Sequence, residues 1–296
     1  MAAIEYETFV VIVYGPSGTG KTTDQGYSFP TALFGAAPGA LSSIRSVCGY
    51  VPKSVEIATI QDATKLLKEA AGKVKVLVID DFSFMAEQTF ALLEKKYKNY
   101  DLWGKLRDVA LEFRDQARYS KISVVMNAWE KAPQMKDGIR VRGGPALSGR
   151  LPEQIPALCD VVLRASFDAK RKPWPAVYRC YLDPSWTMKD RFDIAPRIDP
   201  SPMNLAELLR AGGVSVERHP DLPKQEDWVE GLSRHFMEAA DTLVAANEFY
   251  PKLVGAGMTA YAARWTLRDA LDRAEIRKGM ALAQSTFFPT QTAPLL

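Results

Sequence analysis

Three groups of residues carry the types and spacing that chemistry requires. The first is Gly15-Pro16-Ser17-Gly18-Thr19-Gly20-Lys21-Thr22, placed directly after the apolar run Phe9-Val-Val-Ile-Val-Tyr14. Glycines at this density let a backbone curl until successive N–H groups point inward and form an anion-binding nest. A helix starting near Gly20 adds the positive end of its dipole at the same spot. A nucleoside triphosphate is the anion that fits: Lys21 reaches the β- and γ-phosphates, and the Thr22 hydroxyl holds Mg²⁺. The nucleotide contacts are read as Gly15, Pro16, Ser17, Gly18, Thr19, Gly20, Lys21 and Thr22, with Thr23 beside them.

The second group is Asp80-Asp81, at the end of the run Val74-Lys-Val-Leu-Val-Ile. An unbroken Val/Ile/Leu stretch is what a strand buried on both faces of a parallel sheet looks like, and ligands of open α/β sheets bind at the carboxyl ends of such strands. Asp80 is expected to hold Mg²⁺ with Thr22, directly or through water. Asp81 either orients and deprotonates the attacking water or caps the strand end. The third is Asn127, which closes the buried strand Ile122–Asn127; its amide either touches the γ-phosphate or turns the chain.

Stepping along the chain, the elements that hold these groups alternate between strand and helix. Short strands are expected at 31–34 and 55–60, a helix over 61–71 closed by Gly72, and helix throughout 86–119. The aromatics of that last stretch (Phe90, Tyr97, Tyr100, Trp103, Phe113) read as core packing rather than a binding stripe. Residues 131–152 form a long loop rich in chain breakers, with Lys131, Lys136, Arg140, Arg142 and Arg150 against a single Asp137. A cationic loop of this kind beside a nucleotide site is either a nucleic-acid phosphate contact or a solvated loop. Strands follow from Asp160, near 176–182 and 186–192, interrupted by Pro173 and Pro175, and then a short helix over 205–210. Beyond Pro220 and Pro223 two helices are expected, separated by Pro251 and Gly255, as an αα-hairpin; the last twelve residues have no helical period. The domain reading is 1–212 for the nucleotide core and 213–296 for a C-terminal helical extension.

Composition narrows the class. Of 296 residues, 47% are hydrophobic and 25% charged, ordinary values for a globular protein, and the net charge of +3 calls for no polyanion partner by itself. Cys48, Cys159 and Cys180 lack C-x-x-C spacing, which argues for a reducing compartment. Glu5 and Glu7 stand where a signal peptide would be basic, and no apolar run approaches the ~20 residues of a membrane span. A cytoplasmic protein with no membrane contact is expected.

Taken together, the chain resembles RecA-type P-loop ATPases, and in particular the compact phage-encoded recombination mediators or single-strand annealing ATPases. The resemblance rests on Gly15 to Thr22, the strand ending at Asp80, the strand ending at Asn127, the Gly144–Arg150 loop with Asp160-Val-Val-Leu, and Met188-Lys189-Asp190-Arg191-Phe192. It implies an α/β fold: a mostly parallel central sheet flanked by helices, with antiparallel edge strands. It implies that Lys189 and Arg191 reach a neighbouring subunit's γ-phosphate, against the plainer reading of a salt-bridged strand end. It also implies ATP with Mg²⁺ at the interfaces of a ring or filament homo-oligomer, and single-stranded DNA on Lys136, Arg140, Arg142 and Arg150. A single-strand-binding protein or another replication partner is a further expectation. No Asn-Lys-x-Asp guanine-reading segment occurs, which favours ATP. The glutamate that such enzymes usually carry after the second core strand is missing, since Leu33-Phe34 runs into Gly35-Ala36-Ala37-Pro38. Asp81, Glu87 or Glu130 would take its place, or the protein is a nucleotide-holding scaffold with little turnover.

Overall fold

The computed structural model describes residues 8–48, 50–149, 151–168, 176–179, 183–194, 201–217, 222–240, 242–256, 258 and 260–277. The expectations placed on Glu5, Glu7, Arg150, Pro173, Pro175, Cys180, Pro220 and the last twelve residues lie outside these. In chain order the elements are β1 (Val10–Tyr14), α1 (Lys21–Ser28), β2 (Leu33–Ala36), α2 (Ser42–Cys48), β3 (Lys53–Glu56), α3 (Ile60–Ala70), β4 (Val76–Asp80), α4 (Phe82–Glu94) and α5 (Asn99–Tyr119). There follow β5 (Ser123–Ala128), β6 (Glu130–Lys131), β7 (Gln134–Lys136), β8 (Ile139–Val141), β9 (Gly144–Pro145), α6 (Leu151–Leu158), β10 (Val161–Phe167), β11 (Ala176–Arg179), β12 (Lys189–Asp190) and β13 (Ser201–Pro202). Four helices complete the series: α7 (Leu205–Ala211), α8 (Leu222–Glu238), α9 (Thr242–Gly255) and α10 (Ala260–Arg277).

The central sheet runs β13-β11-β10-β1-β5-β4-β2-β3, with β12 also on β10. Pairings from β3 through β10 are parallel, while β11, β12 and β13 join antiparallel at one edge. Strand side chains alternate between faces, so β1 divides its own residues between two cores. Val11 and Val13 join a cluster with Tyr27 of α1, Ile44 of α2, Leu209 of α7, Phe236 of α8, Leu253 of α9 and Leu267 of α10. Val10, Ile12 and Tyr14 join the opposite cluster with Leu67 of α3, Met85 of α4, Phe113 of α5 and Ile155 of α6. The buried residues of the three C-terminal helices are thus continuous with one face of the central sheet.

Several expectations are corrected. The strand expected at 55–60 ends at Glu56, because Thr59 and Asp62 form a reciprocal capping box that opens α3. The stretch 86–119 is two helices, not one: α4 ends at Glu94, and Lys98 is extended (φ −130°, ψ 158°) just before Asn99 opens α5 with φ 49°. Lys98 Nζ donates to the Glu94 carbonyl at 3.0 Å, closing α4 just before that break. Phe113 is buried there, but Tyr100 is 93% exposed and Trp103 47% exposed, so those two are not core. The loop 131–152 contains the hairpin β7–β8, turned by Asp137 (φ 51°) and Gly138 (φ 76°), both positive as a type I′ turn requires. Of the strand expected over 186–192, only Lys189–Asp190 pairs as a strand, against Val161 and Val162. The C-terminal hairpin is a three-helix arrangement, because Pro251 lies within α9 rather than after a helix end. No helix among the described residues is long and apolar enough to cross a membrane.

Candidate nucleotide site

The site sits where the carboxyl ends of β1, β4 and β5 meet. β1 is buried along its whole length and delivers the chain to Gly15, whose N–H donates to the Ala128 carbonyl of β5 at 3.3 Å. Any side chain at Gly15 would strike the Ala165 carbonyl, its Cβ falling 2.2 Å away, so the loop lies directly against β10. Gly18 (φ 81°) and Gly20 (φ 82°) take left-handed conformations that turn the backbone into the nest. Gly20 then caps α1 without a side-chain partner, leaving the first amides of that helix without intrahelical acceptors.

Lys21 is buried with its ammonium folded into the loop, donating to Gly15 O at 2.9 Å and Pro16 O at 3.0 Å. Burial lowers its pKa, opposed by the negative charges of Asp81, Asp80 and Glu130. Thr19 Oγ1 braces the loop by donating to Pro16 O at 2.9 Å. Pro16 and Ser17 form the outer turn of the loop. Thr23 is buried on α1, and its carbonyl accepts the Cys48 thiol at 3.6 Å.

Thr22 Oγ1 donates to Asp80 Oδ2 at 2.6 Å, joining the start of α1 to the end of β4. Burial raises the pKa of Asp80; the Thr22 hydroxyl, the Asn127 amide and the Lys21 ammonium oppose that shift. A hydroxyl and a carboxylate, hard oxygen donors at one point beside an anion nest, suit Mg²⁺, which takes few protein ligands and completes its shell with phosphate and water. The residues present therefore fit a nucleotide·Mg²⁺ pair, with Thr22 and Asp80 as the metal's protein ligands.

Asp81 caps α4, its Oδ1 accepting the Ser83 N–H at 2.7 Å and the Phe84 N–H at 3.3 Å. Burial and the neighbouring Asp80 push its pKa up to about 6. Capping and water activation are compatible, since the cap occupies one oxygen only. Asn127 Oδ1 accepts Gln25 Nε2 at 3.2 Å; Gln25 Oε1 is buried without a hydrogen-bond partner, and Asn127 Nδ2, on the side of Asp80, is buried without a close one. Two such polar atoms at the edge of a charged site mark a place where water or ligand completes the network. Sequence reasoning overlooked Gln25, although one helical turn after Lys21 it had to share that residue's face.

Of the remaining acids, Glu87 is exposed on α4. Glu130 stands just past β5 and is held by Arg164. The cations of the hairpin, Lys136 and Arg140, are exposed, as is Arg142 after it; Arg140 Nη2 donates to Ser185 Oγ at 2.7 Å. Lys189 and Arg191 stand at the other end of the strands, by the starts of β10 and β1. Lys189 Nζ donates to the Ala157 carbonyl at 2.8 Å, and Arg191 pairs with Asp160 at 3.0 Å. Asp160 in turn accepts the Val10 N–H, so Arg191 lies at the start of β1, five strand residues or roughly 16 Å from Gly15. Within one chain neither cation stands at the phosphate cradle.

A family model described as an AAA domain matches residues 7–192, which spans every element just described from β1 to β12. The chain belongs to the AAA domain family. Its AAA domain is a P-loop ATPase domain, and the matched stretch includes both the Gly15–Thr22 loop and Asp80. Among solved structures it is similar to the KaiC-like protein PH0186 from the hyperthermophilic archaeon Pyrococcus horikoshii OT3, at 16% identity over 58% of this chain and 76% of that chain, with a TM-score of 0.37. Comparison with curated proteins gives no match.

Proposed function

We propose that this AAA domain binds ATP·Mg²⁺ and hydrolyses it, and that nucleotide occupancy governs binding of single-stranded DNA along the β7–β8 hairpin. The observation that carries the reading is the 2.6 Å contact between Thr22 and Asp80, beside a buried lysine inside the glycine loop. That contact, with Lys21 folded into the loop beside it, supports reading Thr22 and Asp80 as metal ligands and Lys21 as the phosphate cation. The loop amides and Lys21 hold the triphosphate and offset the charge that grows on the transferring group. Thr22 and Asp80 would hold Mg²⁺, which would supply positive charge to offset that on the phosphates. Asp81, with its pKa near neutrality and one oxygen uncommitted to the cap, orients the attacking water and accepts its proton. Asn127 and Gln25 report phosphate occupancy through Nδ2 and Oε1.

Lys136, Arg140 and Arg142 supply the DNA phosphate contacts, and Arg150 belongs to the same set by the resemblance. Lys189 and Arg191 act on a neighbour's nucleotide in a ring or filament, a role that their distance from their own cradle favours. The setting is a recombination or annealing step in the cytoplasm, with a single-strand-binding protein or a replication factor as partner.

The test is ATP turnover with and without single-stranded DNA, with particle mass measured in parallel. A rise of roughly tenfold or more with DNA, and larger particles when nucleotide and DNA are both present, is the expected result. Flat, near-zero turnover with firm nucleotide binding overturns it in favour of a nucleotide-holding scaffold.

A further inference from the structure

One cluster beside the cradle has no part in the chemistry above. Arg164 lies opposite Tyr14 in the β1–β10 register, one residue before Gly15. Its guanidinium grips Glu130 with two nitrogens, Nε to Oε2 at 2.6 Å and Nη2 to Oε1 at 3.3 Å. The same guanidinium stacks on the Trp186 ring, 3.6 Å from its centroid. Glu130 and Arg164 thus close a strap between β5 and β10, the two strands that flank β1. The pair is largely shielded, its side chains 13% and 22% exposed, and its charges are correspondingly little screened.

Each partner of Arg164 leads to the basic hairpin. Glu130 opens β6, which pairs with Pro145 of β9 just past the hairpin. Trp186 bridges Gly143, and that contact is tight enough that a Cβ at Gly143 would fall 2.5 Å from the indole. The backbone alongside is fixed by Gly143 N–H to Ser185 O at 2.9 Å and Thr187 N–H to Gly143 O at 2.8 Å. Arg140 reaches the same segment through Ser185. The Glu130 charge also favours the Lys21 ammonium, after those of Asp81 and Asp80.

We propose that Arg164 is a positioning residue with two alternative anions, the Glu130 carboxylate and the terminal phosphate of a bound triphosphate, and that the exchange releases the base of the hairpin. The inference rests on the nucleotide reading above. A triphosphate brings several negative charges to Lys21, so it repels Glu130 and attracts Arg164 at one stroke. An arginine fork matches phosphate as well as carboxylate, so the exchange keeps its paired hydrogen bonds. When Arg164 turns, Glu130 loses its anchor, Trp186 loses its stacked cation, and β6, β9 and Gly143 loosen together. That is a two-state element biased by the ligand, which coupling between sites requires.

The test is amide hydrogen exchange over 130–146 in the full chain, with Mg²⁺ and either ADP or the non-hydrolysable analogue adenylyl imidodiphosphate. The analogue should speed exchange in that segment by roughly threefold or more, and ADP should not. In Arg164→Gln the segment should exchange fast in every state, and the affinity ratio of analogue to ADP should fall by roughly tenfold. Glu130→Gln, which keeps the cation and the side-chain shape, should also exchange fast without nucleotide but retain the ratio. A wild-type segment that ignores the analogue or becomes more protected overturns the exchange. So does an Arg164→Gln variant that keeps both the nucleotide response and the ratio. If the analogue fails to bind the wild-type chain at all, the nucleotide reading falls and this inference with it.

Discussion

Lys21 is held by carbonyls of its own loop, where the proposed function puts the triphosphate. Lys21→Ala removes two charge-assisted contacts to phosphate, about 1.5–3 kcal/mol each, so affinity for ATP should fall by roughly a hundredfold or more. Titration calorimetry checks this, with circular dichroism confirming an intact fold. Asp81 offers a second test, because its pKa of about 6 lies above the ordinary carboxylate value of 3.8. The folded chain therefore binds this proton more tightly than the unfolded chain does. Its stabilising contribution is present below pH ~4 and is lost as pH rises through ~6. Asp81→Asn keeps a good helix cap but carries no charge. Without nucleotide or metal, its Tm should exceed that of the wild type at pH 7.5, and the difference should vanish toward pH 4. Turnover should move the other way. The wild-type rate should climb between pH 5 and 7, and the variant should be slow and flat across that range.

Two elements decide how the site is framed, and both rest on short local signals. The Thr59–Asp62 capping box starts α3, which packs behind β4 and β2, and Thr59→Ala should cost about 1 kcal/mol, read as a drop in chemical-denaturation midpoint with an unchanged slope. The hairpin turn is independent of the core. Gly138 has φ 76° with open space around it, so Gly138→Ala strains the turn by roughly 1 kcal/mol while touching nothing else. It should weaken binding of single-stranded DNA while leaving global stability and ATP affinity unchanged. This hairpin was legible beforehand in Asp137-Gly138, flanked by Met135 and Ile139, and the surrounding prolines and glycines concealed it. The break at 95–98 was less legible, because both flanks have helical composition and only the backbone conformation around Lys98 and Asn99 separates them.

At the scale of the molecule, Lys189 and Arg191 stand at the opposite end of the strands from the P-loop, so any joint action needs two chains. A Lys21→Ala chain and a Lys189→Ala/Arg191→Ala chain should each be inactive alone. Mixed in equal amounts, they should regain turnover, because some interfaces then pair an intact cradle with intact cations. No recovery on mixing, with both proteins folded and assembled, would show that Lys189 and Arg191 serve only their Ala157 and Asp160 contacts. The C-terminal helices bear on the same question, since their buried residues continue the core behind α1 and α2. Nucleotide-driven movement of α1 would reach them through packing.

The glycine loop after β1 and the carboxylate at the end of β4 could be read from the chain itself, because glycine freedom, a buried strand and a terminal carboxylate are properties of consecutive residues. So could the alternation of parallel strands and helices, whose apolar periods are local. The rest depended on which strands lie side by side. Asp81's raised pKa needs the Asp80 charge and a closed surround. The Gln25–Asn127 contact spans 102 residues, and Arg164 meets Glu130 only because β10 and β5 both flank β1. Burial and long-range adjacency set those features, and neither is a property of any short stretch of sequence.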